Sequence, residues 1–241
     1  KTIRVDACGL QCPGPILKMK KTMDSLVSGD RVEITSTDPG FPRDAAAWCN
    51  STGNQLISKE AAGGKSVVVI EKGEPKSCNI VTSCEGKGKT FIMFSDDLDK
   101  ALATFVLANG AAATGQKVTI FFTFWGLNVI KKLHKPNVEK DIFGKMFGMM
   151  LPSSSRKLKL SKMSMGGIGG KMMRYIMNRK GIDSLESLRQ QALENGVEFI
   201  ACQMSMDVMG VKQEELLDEV TIGGVATYME RADNANINLF I

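Results

Sequence analysis

Apolar and polar positions along the first third of the chain switch repeatedly between two periods. Residues 2–6 (TIRVD) alternate as a half-buried strand does. Residues 13–28 then put Ile16, Met19, Met23, Leu26 and Val27 on one helical face, closed by Ser28-Gly29-Asp30. Residues 31–36 (RVEITS) alternate again, and Asp38-Pro39 opens a second helix reaching about Asn50. Two further strands follow at 54–60 and 65–71 (KSVVVIE), separated by Gly63-Gly64. This β-α-β-α-β-β order predicts a two-layer sandwich, with two helices on one face of a mixed sheet.

Residues 73–88 (GEPKSCNIVTSCEGKG) carry no periodicity and are rich in Gly, Ser and Lys, so they read as a linker. If such a stretch is a flexible coil, it spans roughly 20–24 Å. From residue 89 the pattern changes. KTFIMF is a buried-strand run, and DDLDKALATFVLANGAAATG is a helix with an acidic start and a glycine stop. KVTIFFTF is the next strand, and Trp125 to His134 begins another helix. An irregular basic segment intervenes before an amphipathic helix at 183–195, capped by Asp183 or Ser184. VEFIACQ, a short helix, a strand near 219–222, a helix at 223–232 and a strand at 237–241 complete the chain. Strands alternating with helices at this spacing predict a parallel sheet covered on both faces. The chain is thus expected to be α/β throughout, with an N-terminal domain at 1–72, a linker at 73–88 and a C-terminal domain at 89–241.

Composition narrows this little: 43% apolar and 24% charged residues are ordinary globular values. No apolar run reaches the roughly 18 residues needed to span a bilayer. Lys1 and Arg4 lead into a strand-like segment rather than the apolar core of a signal peptide. The first residue is not Met, as in a processed chain or a piece of a longer one. A cytoplasmic setting is expected, in which Cys8, Cys12, Cys49, Cys78, Cys84 and Cys202 are thiols rather than a disulfide framework. No C-x-x-C pair occurs and His134 is the only histidine, so no metal site is expected.

Cys12 stands immediately before Pro13-Gly14-Pro15, where a helix begins. If Pro13 is the first helical residue, Cys12 is the N-cap, facing unpaired N–H groups and the positive end of the helix dipole. That position favours a thiolate, and equally a persulfide anion. Lys18, Lys20 and Lys21 add positive charge. A small passive thiol beside a helix-starting proline explains the same pattern, and both readings stand on the residues alone.

The stretches DACGLQCPGPI and DPGFPRDAAAWC resemble the TusA (SirA-like) family of sulfur carriers across residues 2–72. Cys12-Pro13-Gly14-Pro15 matches its Cys-Pro-x-Pro motif, and Asp44 and Trp48-Cys49 match its second helix. The resemblance implies that Cys12 accepts sulfane sulfur as a persulfide and passes it on. Cys49 reads as a structural thiol. Cys8 is either a strand-end thiol or a resolving partner for Cys12. Residues 89–241 resemble the DsrE/DsrF-like family through FIMFSDDLDKALATFVLANGAAATGQKVTIFFTFWGL, LSKMSMGGIGGKMM and EFIACQMSMDVMGVKQEELLDEVTIGGVATYM. Cys202, after a central strand, matches that family's sulfur-binding cysteine, and the strand's carboxyl end is where ligands collect in parallel sheets.

Together the resemblances imply a sulfur carrier or transferase with no cofactor, relaying persulfide sulfur between Cys12 and Cys202 or to partners. They also imply sulfur-relay partners such as the rhodanese and disulfide reductase domains to which these modules are fused, and a homo-oligomer. A non-catalytic adaptor docking a reductase or a membrane, and a thiol–disulfide oxidoreductase using Cys8 and Cys12, are the competing functions. Cys78 and Cys84 in the linker read as relay thiols, a redox loop or simply exposed thiols.

Charge is uneven. Residues 131–180 hold thirteen Lys or Arg against Glu139 and Asp141, a net +11, which leaves −6 for the rest of a chain whose total is +5. Eight of the fifteen methionines lie there too. Methionine suits adaptable contact surfaces. The segment reads as a lid, an oligomer interface or a peripheral contact with an anionic membrane. The run MGGIGGKM lacks the first glycine and the Ser or Thr of a phosphate loop, so no nucleotide is expected. Few aromatics and no recognised motif argue against nucleic acid.

Overall fold

The computed structural model describes residues 1–10, 13–74, 88–134, 136, 138 and 142–241. Cys12, Cys78 and Cys84 lie outside the described residues.

The N-terminal unit contains β1 (Thr2–Ala7), α1 (Gly14–Asp24), β2 (Arg31–Ser36), α2 (Phe41–Thr52), β3 (Gln55–Ala62) and β4 (Lys65–Glu71). Its sheet has the order β1-β2-β4-β3, parallel between β1 and β2 and antiparallel elsewhere. Val32, Ile34, Val68 and Ile70 point to one face and are fully buried there with Ile16, Met19 and Met23 of α1 and Phe41, Ala45 and Trp48 of α2. The period-2 pattern therefore does what it predicts: one face meets both helices and the other meets water.

The C-terminal unit contains β5 (Gly88–Met93), α3 (Leu98–Ala113), β6 (Val118–Phe122), α4 (Ile142–Met150), α5 (Ile168–Arg179), α6 (Leu185–Glu194), β7 (Glu198–Cys202), α7 (Gln203–Met209), β8 (Thr221–Gly223), α8 (Val225–Asp233) and β9 (Ala235–Phe240). Its five strands are all parallel, in the order β8-β7-β6-β5-β9. The chain winds outward from β5 to β8 and returns to the other side of β5, so the strand order reverses at β5. α3 and α6 cover one face, where Phe105, Phe122, Phe199 and Leu188 are at most 1% exposed. α8 lies on the other.

Three expectations need correction. α1 begins one residue late, with Pro13 as N-cap and Pro15 in the first turn. Cys12 therefore precedes the cap rather than being it. The helix expected from Trp125 is instead a 3-10 run at Phe124–Ile130. Gly126 explains this: it packs so closely on the Met93 carbonyl that a Cβ would clash. That contact ties the run across the end of β5, and its last five residues are buried. The basic segment is not irregular throughout, since it contains α4 and α5.

Candidate functional site

Cys202 is the last residue of β7 and the N-cap of α7, at the carboxyl end of the parallel sheet. Side chains alternate across β7. Phe199 and Ala201 join the core under α3 and α6, whereas Ile200 and Cys202 face α8. There Cys202 lies in an apolar group with Phe121 and Tyr228, and only 6% of it is exposed. The Tyr228 ring packs against Phe121 at 5.3 Å between centroids, and its hydroxyl lies 3.3 Å from that of Thr90. Tyr228 therefore holds a fixed place beside Cys202. On the other side, the hydroxyls of Thr123 and Ser205 pair at 2.8 Å inside the core and secure the first turn of α7. Arg231 clamps Glu198 at the start of β7 and holds that carboxyl below its ordinary range.

The Pro13 carbonyl accepts the Leu17 N–H at 3.1 Å, as the first turn of α1 requires. The Lys18 ammonium donates to the Asp6 carbonyl at 2.6 Å, tying α1 to the end of β1. Pro13 at the cap and Pro15 in the first turn carry no N–H, which leaves those of Gly14 and Ile16.

The other thiols are set in different surroundings. Cys8 is partly exposed, and its N–H donates to Asp6 at 2.8 Å. A hydrogen bond to the Asp6 carboxylate, then partial burial and the carboxylate's charge, push the Cys8 thiol up. Cys49 lies inside α2 among the core residues, and burial pushes it up to about 11. Asp44, matched earlier to the same helix, is pushed up by burial and by Asp38. His134 is exposed beyond the 3-10 run.

One feature carried no sequence motif. Asp96, in the loop after β5, accepts the Asn128 amide at 2.9 Å, and burial pushes its carboxyl up. A cleft of about 700 Å³ opens beside it, lined by Trp125, Met149, Lys157, Lys159 and Ser164. Its position at the carboxyl end of β5, where the strand order reverses, was the available signal.

Comparison with known proteins separates the same two parts. The DsrE/DsrF/DrsH-like family profile matches residues 86–240, and the profile of sulfurtransferase TusA matches residues 3–72. YrkE of Bacillus subtilis is 44% identical over 155 residues, covering 64% of this chain and 97% of its own length. The sulfur carrier protein DsrE2 of Allochromatium vinosum is 38% identical, covering 65% of this chain and 99% of its own. The sulfur carrier protein TusA of the same organism is 43% identical over 68 residues, 28% of this chain and 90% of its own.

Proposed function

The chain belongs to the DsrE/DsrF/DrsH-like family, with a TusA-type segment before it, and on that premise we propose that it is a sulfur carrier. It holds sulfane sulfur as a cysteine persulfide on Cys12 and on Cys202, and relays it between them or to partner proteins. Residues 1–72 and 89–241 act as its two domains, joined by 73–88. The observation that carries this reading is a thiol at the carboxyl edge of a parallel sheet, Cys202, in one chain with a Cys-Pro-Gly-Pro helix start. Two similar proteins bearing these parts separately are named sulfur carriers.

The chemistry needs no metal, nucleotide or outside oxidant. A Cys12 thiolate attacks a sulfur of a polysulfide chain. A new S–S bond forms to Cys12, the attacked bond breaks, and the polysulfide leaves one sulfur shorter. In relay the Cys202 thiolate attacks the outer sulfur of the Cys12 persulfide, and Cys12 leaves as a thiolate. No net oxidation occurs in either step.

Incubation with inorganic polysulfide followed by peptide mass spectrometry tests this. One added sulfur is expected on Cys12 and on Cys202, each lost in its own serine variant. A chain that gains sulfur on neither is an adaptor, not a carrier. Loss of two hydrogens across Cys8 and Cys12 instead marks an oxidoreductase. Asp6 weighs against the latter, because it keeps the Cys8 thiol protonated.

The proposal extends to a homo-oligomer. Parallel sheets are normally covered on both faces. Among the described residues one face has α8 alone over it, and Phe240 of β9 and Met229 of α8 are exposed beside it, while Ile237 and Leu239 are exposed on the opposite face of β9. A peripheral membrane contact is a second reading, favoured by Met149, Met150, Ile168 and Met172, all exposed among lysines. No helix among the described residues is long and apolar enough to cross a membrane. Flotation with anionic vesicles decides it: binding that falls with salt supports it, and no binding at low salt removes it.

A further inference from the structure

The two units are in contact through a specific seat. Leu10, just ahead of α1, lines one cleft with Leu98 at the start of α3. Lys20 and Asp24 of α1 line another with Ala113 and Gly115 at the far end of α3. α1 and α3 therefore run side by side in the same direction. At the far end, the buried Trp48 indole donates to the Ala113 carbonyl. That carbonyl belongs to the last turn of α3, where no helical N–H is available. Ala113 itself is buried in the apolar core of the N-terminal unit. At the near end, the turn between α5 and α6 meets the loop after β1. Gly181 there has φ +66°, and a Cβ on it would strike the Gly9 carbonyl oxygen. Leu10 closes a cleft of about 530 Å³ against Met177, Ile182 and Leu185.

This seat sets the N-terminal end of α1 toward the carboxyl end of the C-terminal sheet, the end that carries Cys202. It lies on the opposite face, however. α3 and α6 stand between α1 and the sheet, and a helix with its side chains is roughly 10–12 Å across. Cys202 points away from them toward α8. Sulfur exchange needs contact at roughly 3–3.5 Å.

Resting on the carrier reading above, we propose that α3 and the α5–α6 turn form a docking seat for the TusA-type unit. While seated, the thiol-bearing end of α1 is held away from Cys202 of the same chain. Sulfur passes within a chain only after the unit leaves the seat. Trp48 at one end and the Gly9–Gly181 contact at the other are the latch.

The test uses the full chain and two latch variants, Gly181→Ala and Trp48→Phe. Gly181→Ala adds a clash outside either core. Trp48→Phe keeps an aromatic ring in the core but removes the donor. Small-angle scattering reports seating without reference to sulfur, and both variants should be more extended than the parent. Relay is read as sulfur reaching Cys202 after a polysulfide pulse, in excess of that in the same chain carrying Cys12→Ser. Unseating should raise the relay rate about tenfold, equivalent to about 1.4 kcal/mol of lost seating free energy, with loading of Cys12 unchanged. If the variants are extended and relay is unchanged or slower, the seat is not a holding state. If the parent scatters as two separated units, there is no seat. If no cysteine gains sulfur while the variants still extend, the carrier reading fails and the seat survives as an interface alone.

Discussion

Cys49 and Cys202 are both buried thiols, 2% and 6% exposed, yet they sit in opposite kinds of surroundings. Cys49 is inside α2, enclosed by the core that α1, α2 and the sheet share. Nothing about its place leads outward. Cys202 ends a strand, starts a helix and stands at the edge where a parallel sheet presents its loops. One ring, Tyr228, belongs to its cover, and that ring is the one buried side chain of α8. Low exposure therefore does not tell the two thiols apart. What differs is the covering layer, which is the core itself over Cys49 and includes the surface helix α8 over Cys202.

The largest effect expected from this contrast is all-or-none. After polysulfide treatment of the native chain, Cys202 should carry added sulfur and Cys49 none. Cys202→Ser should remove all sulfur from the C-terminal unit. Sulfur on Cys49 in the folded protein would erase the distinction between core cover and edge cover. Peptide-level mass spectrometry reads both sites in one sample.

A smaller effect concerns stability against pH. Burial raises the Cys49 thiol from its ordinary 9.0 to about 11. The folded chain therefore keeps a proton that the unfolded chain gives up. The stabilisation is complete below pH 9 and is lost as pH rises through about 11. Two units correspond to roughly 2–3 kcal/mol. Urea unfolding of the native chain should show a steeper fall in stability over that window than Cys49→Ala shows. Parallel curves would mean that the Cys49 thiol does not govern this window.

How far the sequence foretold these sites depends on the kind of signal. β2 and β4 fall at 31–36 and 65–71 as expected, because one polar face makes alternation unambiguous. The strand before Cys202 was recognisable too, and with it the sheet edge. Which face Cys202 takes was not, because a strand buried on both sides has apolar residues at consecutive positions (FIAC, all buried). The start of α1 was misplaced by one residue because Pro13 and Pro15 both suit a helix entry. α4 and α5 were hidden by Gly144, Gly148, Gly169 and Gly170, whose low helix propensity argues against what packing enforces. Gly126 and Gly181 work through contacts with residues far away in the chain, and no local pattern announces those.

The smallest effect lies at Cys8, a thiol that is neither core nor edge. Its surroundings are set by Asp6, two residues away, which accepts the Cys8 N–H and keeps the thiol above its ordinary value. The same hydrogen bonds hold the Asp6 carboxyl below its own ordinary value, so the carboxylate is charged throughout the neutral range. Asp6→Asn replaces that charge by a weaker, neutral acceptor. The Cys8 thiol should then ionise at lower pH, and alkylation of Cys8 at pH 8 should rise severalfold. Part of the change is an exposed charge effect, so the gap between parent and variant should narrow as salt is added. Labelling of Cys8 relative to Cys49 within each sample removes differences in reagent and unfolding. Should Cys8 of the parent already react as fast as in Asp6→Asn, the carboxylate does not restrain it. Cys8 would then stand ready to pair with Cys12, and the contrast between a guarded edge thiol and passive neighbours would have to include a third, redox-active site.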